Sequence, residues 1–452
     1  MLKKITLFTF LLCASMISMA QEFTPKVLSV KDQSALIDQW LAERVKTVLP
    51  EIMRREGIDM WVIVSREYNE DPVIKTLLPS TWMAARRRTI LVVYDPGAGK
   101  DLELMAIARY DVGEAFKRAW NPDQQPDQWK ALSELVASKK PKKIAVNTSD
   151  NYGHADGINA TELTLFKANL RPADAQKIVS AEKVAVGWLE TRTPSEMVVY
   201  QQIVAIAHQI IAEGFSEKVV QPGVTTTEDI VWWYRQRIAD LGLTAWFHPT
   251  VDIQRADPES FDHLRSFSKR PDTQTVQPGD LLHVDFGITY LRLNTDTQQL
   301  AYVLKPTETA PPAYLVEALK EGNRLQDILT SQFRTGRSGN EILRAARAQA
   351  GQEGIKATIY THPIGYHGHA AGPTIGMWDN QGDTPGSGDY PLYPNTCYSI
   401  ELNAAVYIEA WDKEIRVMLE EDAFFDGESV RYINGRQTKL LTIPRLKPHL
   451  GN

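Results

Sequence analysis

Between residues 34 and 56 the apolar side chains Leu36, Ile37, Trp40, Leu41, Val45, Val48, Leu49, Ile52 and Met53 recur at helical spacing, and Gly57 marks the stop. Met60 to Val64 is then an unbroken apolar run, the pattern of a strand. Thr89 to Tyr94 is a second such run, ended by Asp95-Pro96-Gly97, and Leu104–Ala108 and Ile144–Val146 give two more. A helical pattern at 128–138 lies between them. Strand and helix alternate, so residues from about 30 to 180 predict one α/β domain.

The texture changes near Thr193-Pro194-Ser195-Glu196. Thr193 or Ser195 can cap a long helix through Val198, Ile203, Ala207, Ile210, Ile211 and Phe215, broken at Pro222-Gly223. Thr225 with Glu228 has the spacing of a capping box before a second helix, Ile230 to Leu241. Strands are predicted at Leu281–Phe286, Gln299–Leu304, 397–408 and 415–425, with helices at 311–333 and 338–351. This half reads as α+β. The domain limits that follow are 21–185 and 186–445.

Residues 1–20 stand apart. Lys3 and Lys4 precede an apolar stretch, Ile5 to Cys13, and Ser18-Met19-Ala20 offers small residues before Gln21. This is the pattern of a secretory signal peptide, so an exported protein, periplasmic or secreted, is expected, with no later stretch long enough to span a membrane. Leu12 before Cys13 argues against lipidation. Removing the segment also removes one of the two cysteines, so no disulfide is possible within the remaining chain, and Cys397 is expected as a buried apolar thiol. The formal charge of -6 lacks the basic excess that nucleic-acid binding requires. There is no HExxH, GxSxG, P-loop or GxGxxG; Gly97-Ala98-Gly99 reads as a turn.

Candidate chemistry gathers in the C-terminal half. Asp285 sits inside the apolar strand Leu281–Gly287, where a carboxylate is costly unless paired or bound to metal. Asp296 follows before another apolar strand, and a hairpin could join the two. Thr361 to Pro373 holds three histidines, His362, His367 and His369, among glycine and proline. Glu401 and the pair Glu420-Glu421 lie in apolar strands. Two aspartates, one histidine and two glutamates suit a pair of divalent ions bridged by carboxylates, with Mn, Fe, Co or Zn preferred over soft-ligand metals.

In that order, with that separation of the two aspartates, the set resembles the pita-bread metallopeptidases: methionine aminopeptidase, Xaa-Pro aminopeptidase, prolidase and the related creatinase. His362-Pro363-Ile364-Gly365 with His369 seven residues on, and Pro394 to Glu401, match the family's segments. The likeness extends through Thr193–Glu196 and Pro222–Thr225 to the α/β half, which resembles the creatinase-type N-terminal domain. It implies metal ligands Asp285, Asp296, His362, Glu401 and Glu420, two divalent ions with Mn favoured, and a homodimer. It also implies hydrolysis of short peptides at an N-terminal Xaa-Pro bond through a metal-bridging hydroxide, with Glu401 as general base.

Alternation places Arg416, Met418 and Glu420 on one strand face; Glu421 is the alternative register. His369 and an upstream histidine would hold substrate, His263 fitting best and His248 second. The chain departs from many relatives in carrying Thr297-Gln298-Gln299 after the second aspartate, where an arginine is common, and Thr358 four residues before His362. Metal-free hydrolysis of a small amide, as in creatinase, is the competing activity, but a chain without metal has no reason to keep all five ligand types. A non-catalytic binding protein on the same fold is the other alternative.

Overall fold

The computed structural model describes residues 25–258 and 274–446. The signal-like segment 1–20 and His263 lie outside the described residues.

The N-terminal half is built on a six-stranded mixed sheet in the order Lys117–Arg118, Glu103–Ile107, Arg88–Tyr94, Met60–Arg66, Ile144–Val146, Ile178–Ser180. The first of the predicted strands, Met60–Arg66, is central, antiparallel to Arg88–Tyr94 and parallel to Ile144–Val146. Side chains alternate between faces along a strand. Trp61, Ile63, Leu91 and Val93 therefore pack on one side, with the helices Val30–Arg55 and Glu182–Glu190. Met60, Val62, Ile90 and Val92 pack on the other, against Trp129, Leu132, Val136 and Phe166. Both faces are covered, which explains the unbroken apolar runs. The long helix starts four residues before the predicted point because Ser29 accepts a hydrogen bond from the Asp32 amide and caps it.

The C-terminal half opens with the helices Pro194–Gly214 and Thr227–Asp240. Thr193 caps the first in a reciprocal box with Glu196, and the Ser195 hydroxyl instead binds Glu43 of the long N-terminal helix. The second is capped one residue later than the spacing suggested, by Thr226 with Asp229. The Thr225 hydroxyl is occupied by the Gln221 amide, which it accepts at 2.9 Å.

These helices pack on one face of a sheet in the order Leu441–Ile443, Thr297–Val303, Leu281–Phe286, Thr250–Gln254. Helices Ala313–Thr330 and Gly339–Gln352 pack against the other core, with the sheet Lys356–Ile359, Leu402–Ile408, Lys413–Leu419. A third sheet joins His362–Pro363, Thr396–Ser399, Asp422–Phe425 and Val430–Tyr432. Among the described residues no helix is long and apolar enough to cross a membrane. Cys397 is a free, buried thiol.

The two predicted strands 397–408 and 415–425 are each divided, and the divisions carry the site. Regular pairing stops at Ile400-Glu401 on one and at Glu420-Glu421 on the other, as the chain passes from one sheet to the next. The register continues across the break: Ser399 pairs with Asp422 and Leu402 with Leu419, so Glu401 faces Glu420.

Candidate metal centre

The hairpin that begins with Leu281–Phe286 and returns as Thr297–Val303 sets Asp285 directly opposite Gln298. Asp296 lies two residues before Gln298, hence on the same face. The tip between them turns at Leu291 and Arg292, both with positive φ, and Arg292 donates to the Leu78 carbonyl of the N-terminal half at 3.0 Å. On the adjoining seam Glu401 and Glu420 face each other, and directly opposed residues share a face. His362 enters from its own short strand, paired to Ser399.

Six of the residues named from the sequence are thus brought into one cluster. Donor atoms of Asp285, Asp296 and Glu420, of His362, Glu401 and Glu420, and of Asp296, His362 and His369 form three overlapping triplets, each within 4.8 Å. His362 Nε2 lies 3.5 Å from Glu420 Oε1, 3.7 Å from Asp296 Oδ2 and 4.0 Å from Glu401 Oε2. Asp296, His362 and Glu420 are buried, while Asp285 and Glu401 are partly exposed.

His263 lies outside the described residues. His248 lies on the wall of the same cavity, with its Nδ1 accepting from Arg235 at 3.0 Å. Glu421 is turned away from the cluster. Its carboxylate accepts from Gln299 Nε2 at 3.0 Å and the Gln437 amide at 2.9 Å, and meets His208 Nε2 at 2.7 Å.

The donor set fits a metal. Buried polar groups are ordinarily hydrogen-bonded. Here His362 Nε2, Asp285 Oδ1 and Asp296 Oδ1 are buried without a hydrogen-bond partner, and all three belong to the triplets. The opposite ring nitrogen, His362 Nδ1, lies 2.9 Å from the Pro363 carbonyl, which orients the ring with Nε2 inward. Desolvation, and next the Glu420 carboxylate, hold Asp285, Asp296 and Glu401 well above the usual carboxylate range. Such crowding of acids is expensive unless cations neutralise it.

The four carboxylates of the cluster, Asp285, Asp296, Glu401 and Glu420, floor a cavity of about 270 Å³ walled by Trp246, Phe247, His248, Thr250, Tyr360 and His369. The Trp246 indole N–H donates to the Thr295 carbonyl at 2.8 Å and its ring stands edge-on to His369 at 5.3 Å. A side chain on Gly287 or Gly368 would collide with it, since a Cβ on either glycine would lie 2.3 Å from the indole. Trp246, Phe247 and Tyr360 carry no motif, and only the tight apposition of strands and loops reveals them.

Comparisons with known proteins bear on the fold. A comparison with curated proteins finds no significant match. An X-Pro aminopeptidase from Thermotoga maritima MSB8 superimposes with a TM-score of 0.60 at 16% identity, over 87% of this chain and 99% of that one. A Xaa-Pro dipeptidase from Bacillus anthracis gives 0.55 at 15% identity, over 92% and 100%. A prolidase from Pyrococcus horikoshii OT3 gives 0.55 at 14%, over 91% and 100%. At such identities the likeness is one of fold, in both halves. Residues 199–432, more than half of the chain, match metallopeptidase family M24. The chain therefore belongs to metallopeptidase family M24 and has its pita-bread fold.

Proposed function

We propose that this protein hydrolyses short peptides at an N-terminal Xaa-Pro bond, using two divalent ions held by Asp285, Asp296, His362, Glu401 and Glu420. The observation that carries the reading is the unpartnered, buried His362 Nε2 set among Asp296, Glu401 and Glu420, three carboxylates that line an open cavity. Mn is the metal assigned first. Divalent ions supply Lewis acidity that activates water and polarises a carbonyl.

The chain's own groups do the rest. Glu401 is assigned as the general base, as the family resemblance implies: it is partly exposed to the cavity, and its Oε1 is held by Gln298. His369 projects into the cavity and is placed to hold the substrate near its scissile bond or donate to the developing oxyanion. His263 remains the first choice for an upstream substrate histidine, with His248 on the cavity wall as the second. Trp246, Phe247 and Tyr360 offer apolar surface to a side chain next to that bond. The Xaa-Pro preference is supported by the structures named above, whose activities are carried by the same fold.

Export, from the first twenty residues, and a homodimer go with this reading; the N-terminal sequence of the exported protein and light scattering check them. The main test is a panel of Xaa-Pro peptides and Xaa-Ala controls with Mn-loaded protein. Cleavage confined to the Xaa-Pro members is expected. Equal cleavage of the controls would remove the assigned specificity, and bound metal with no turnover would favour a binding protein on this fold.

A further inference from the structure

Gln298 lies between the two glutamates. Its side-chain Nε2 donates to Glu401 Oε1 at 2.5 Å and to Glu420 Oε2 at 2.8 Å. Those are the oxygens away from the histidine: the nearest approaches of His362 Nε2 are to Glu401 Oε2 and Glu420 Oε1. The same residue also holds Glu420 by its main chain, its N–H donating to the Glu420 carbonyl at 3.0 Å and its carbonyl accepting from the Glu420 amide at 3.3 Å.

An amide can present either its oxygen or its nitrogen, and the oxygen would repel both carboxylates. In the structure the nitrogen faces the glutamates and the oxygen faces His283, where an N–H on the ring would hold it. His283 Nε2 lies 2.9 Å from Gln298 Oε1. An N–H on that nitrogen fixes the oxygen on the side of His283 and leaves the NH2 for the glutamates. Both residues are buried, so solvent does not compete for the amide. Asp252, paired with His283 across the adjoining strand, stands beside the ring, its carboxylate 3.7 Å from Nδ1.

We infer that Gln298, oriented by His283, is a positioning residue that fixes which oxygens of Glu401 and Glu420 face the metal centre. The inference rests on the metal-site reading above. It assigns a role to Gln298 in the stretch Thr297-Gln298-Gln299 that follows the second aspartate. Groups that orient ligands in this way typically change metal affinity by about 10–100-fold when removed.

Cobalt titration of the full chain tests it, because visible absorption reports both affinity and ligand geometry. Gln298→Met keeps the bulk and removes the donor. It is expected to weaken Co2+ binding by roughly 10–100-fold with an altered band. His283→Leu should shift both in the same direction in the native background and change nothing further in the Gln298→Met background. Thermal midpoints of the metal-free proteins separate a folding defect from a positioning one. A native affinity and spectrum in Gln298→Met, or an independent effect of His283→Leu in the double variant, would overturn the inference. If the native protein binds no Co2+, the metal-site reading itself fails.

Discussion

Glu420 and Glu421 are neighbours in the chain, but one step along an extended backbone turns a side chain to the opposite face. Glu420 meets His362, Ser399 and Gln298, whereas Glu421 meets His208, Gln299 and the Gln437 amide. Isothermal titration with Mn2+ should show Glu420→Gln weakened by at least roughly tenfold. Glu421→Gln should keep its affinity and lose about 1–3 kcal/mol of stability in urea, because it weakens charge-assisted bonds in a buried network. The reverse result would exchange their roles. The raised carboxyls make a second prediction. Asp285, Asp296 and Glu401 hold protons more tightly folded than unfolded, so without metal the folded state binds the excess protons. Stability of the metal-free protein should therefore fall as pH rises from the unfolded carboxyl value of about 4 towards their raised folded values. Scanning calorimetry of chelated and Mn-loaded protein between about pH 5 and 8 should show the gap between them widening with pH, since metal binding displaces those protons. A gap independent of pH would contradict it.

At the scale of elements, most of the helices and strands could be predicted because periodicity and capping residues agree, as at Thr193-Pro194-Ser195-Glu196. The division of the last two long strands could not. A run such as Ser399-Ile400-Glu401-Leu402 reads as one continuous strand, and only the neighbouring sheets determine that pairing changes partners at Glu401 and Glu420. The acids stood out because carboxylates are costly in apolar strands, whereas the choice of His362 among three histidines came from the resemblance to the family. Trp246 escaped notice, and Gln298 stood out only as a departure from the family pattern, because an aromatic or an amide in such positions has no evident role until its contacts are known. The element-level prediction concerns that tryptophan. Gly287 and Gly368 leave room for it, and Gly368→Ala would place a carbon 2.3 Å from the indole. The ring must shift from the cavity wall, so steady-state kinetics should show KM rising more than kcat falls. Unchanged KM would remove Trp246 from substrate contact.

At the scale of the whole molecule, the long N-terminal helix is tied into the catalytic half. Arg44 donates to Glu196 at 2.9 Å, both fully buried, and lies over the Trp188 and Tyr366 rings at 4.4 and 5.1 Å. Arg192 pairs with the same glutamate at 3.1 Å, and Tyr366 lies in the segment between His362 and His369. Removing one partner of a buried pair leaves uncompensated charge. Arg44→Met should lower stability in urea by about 3–5 kcal/mol, and a loss below about 1 kcal/mol would show that the halves do not depend on this junction. The mild acidity of the chain also takes on a location: Asp285, Asp296, Glu401 and Glu420 are gathered at one cavity floor rather than spread over the surface. That gathering is the central claim. Its most direct test is peptide hydrolysis by the purified protein, with metal content measured on the same sample before chelation, after it and after Mn2+ is returned. The account predicts that turnover disappears with the metal and returns with Mn2+. Hydrolysis that persists in a sample shown to retain no metal would contradict it.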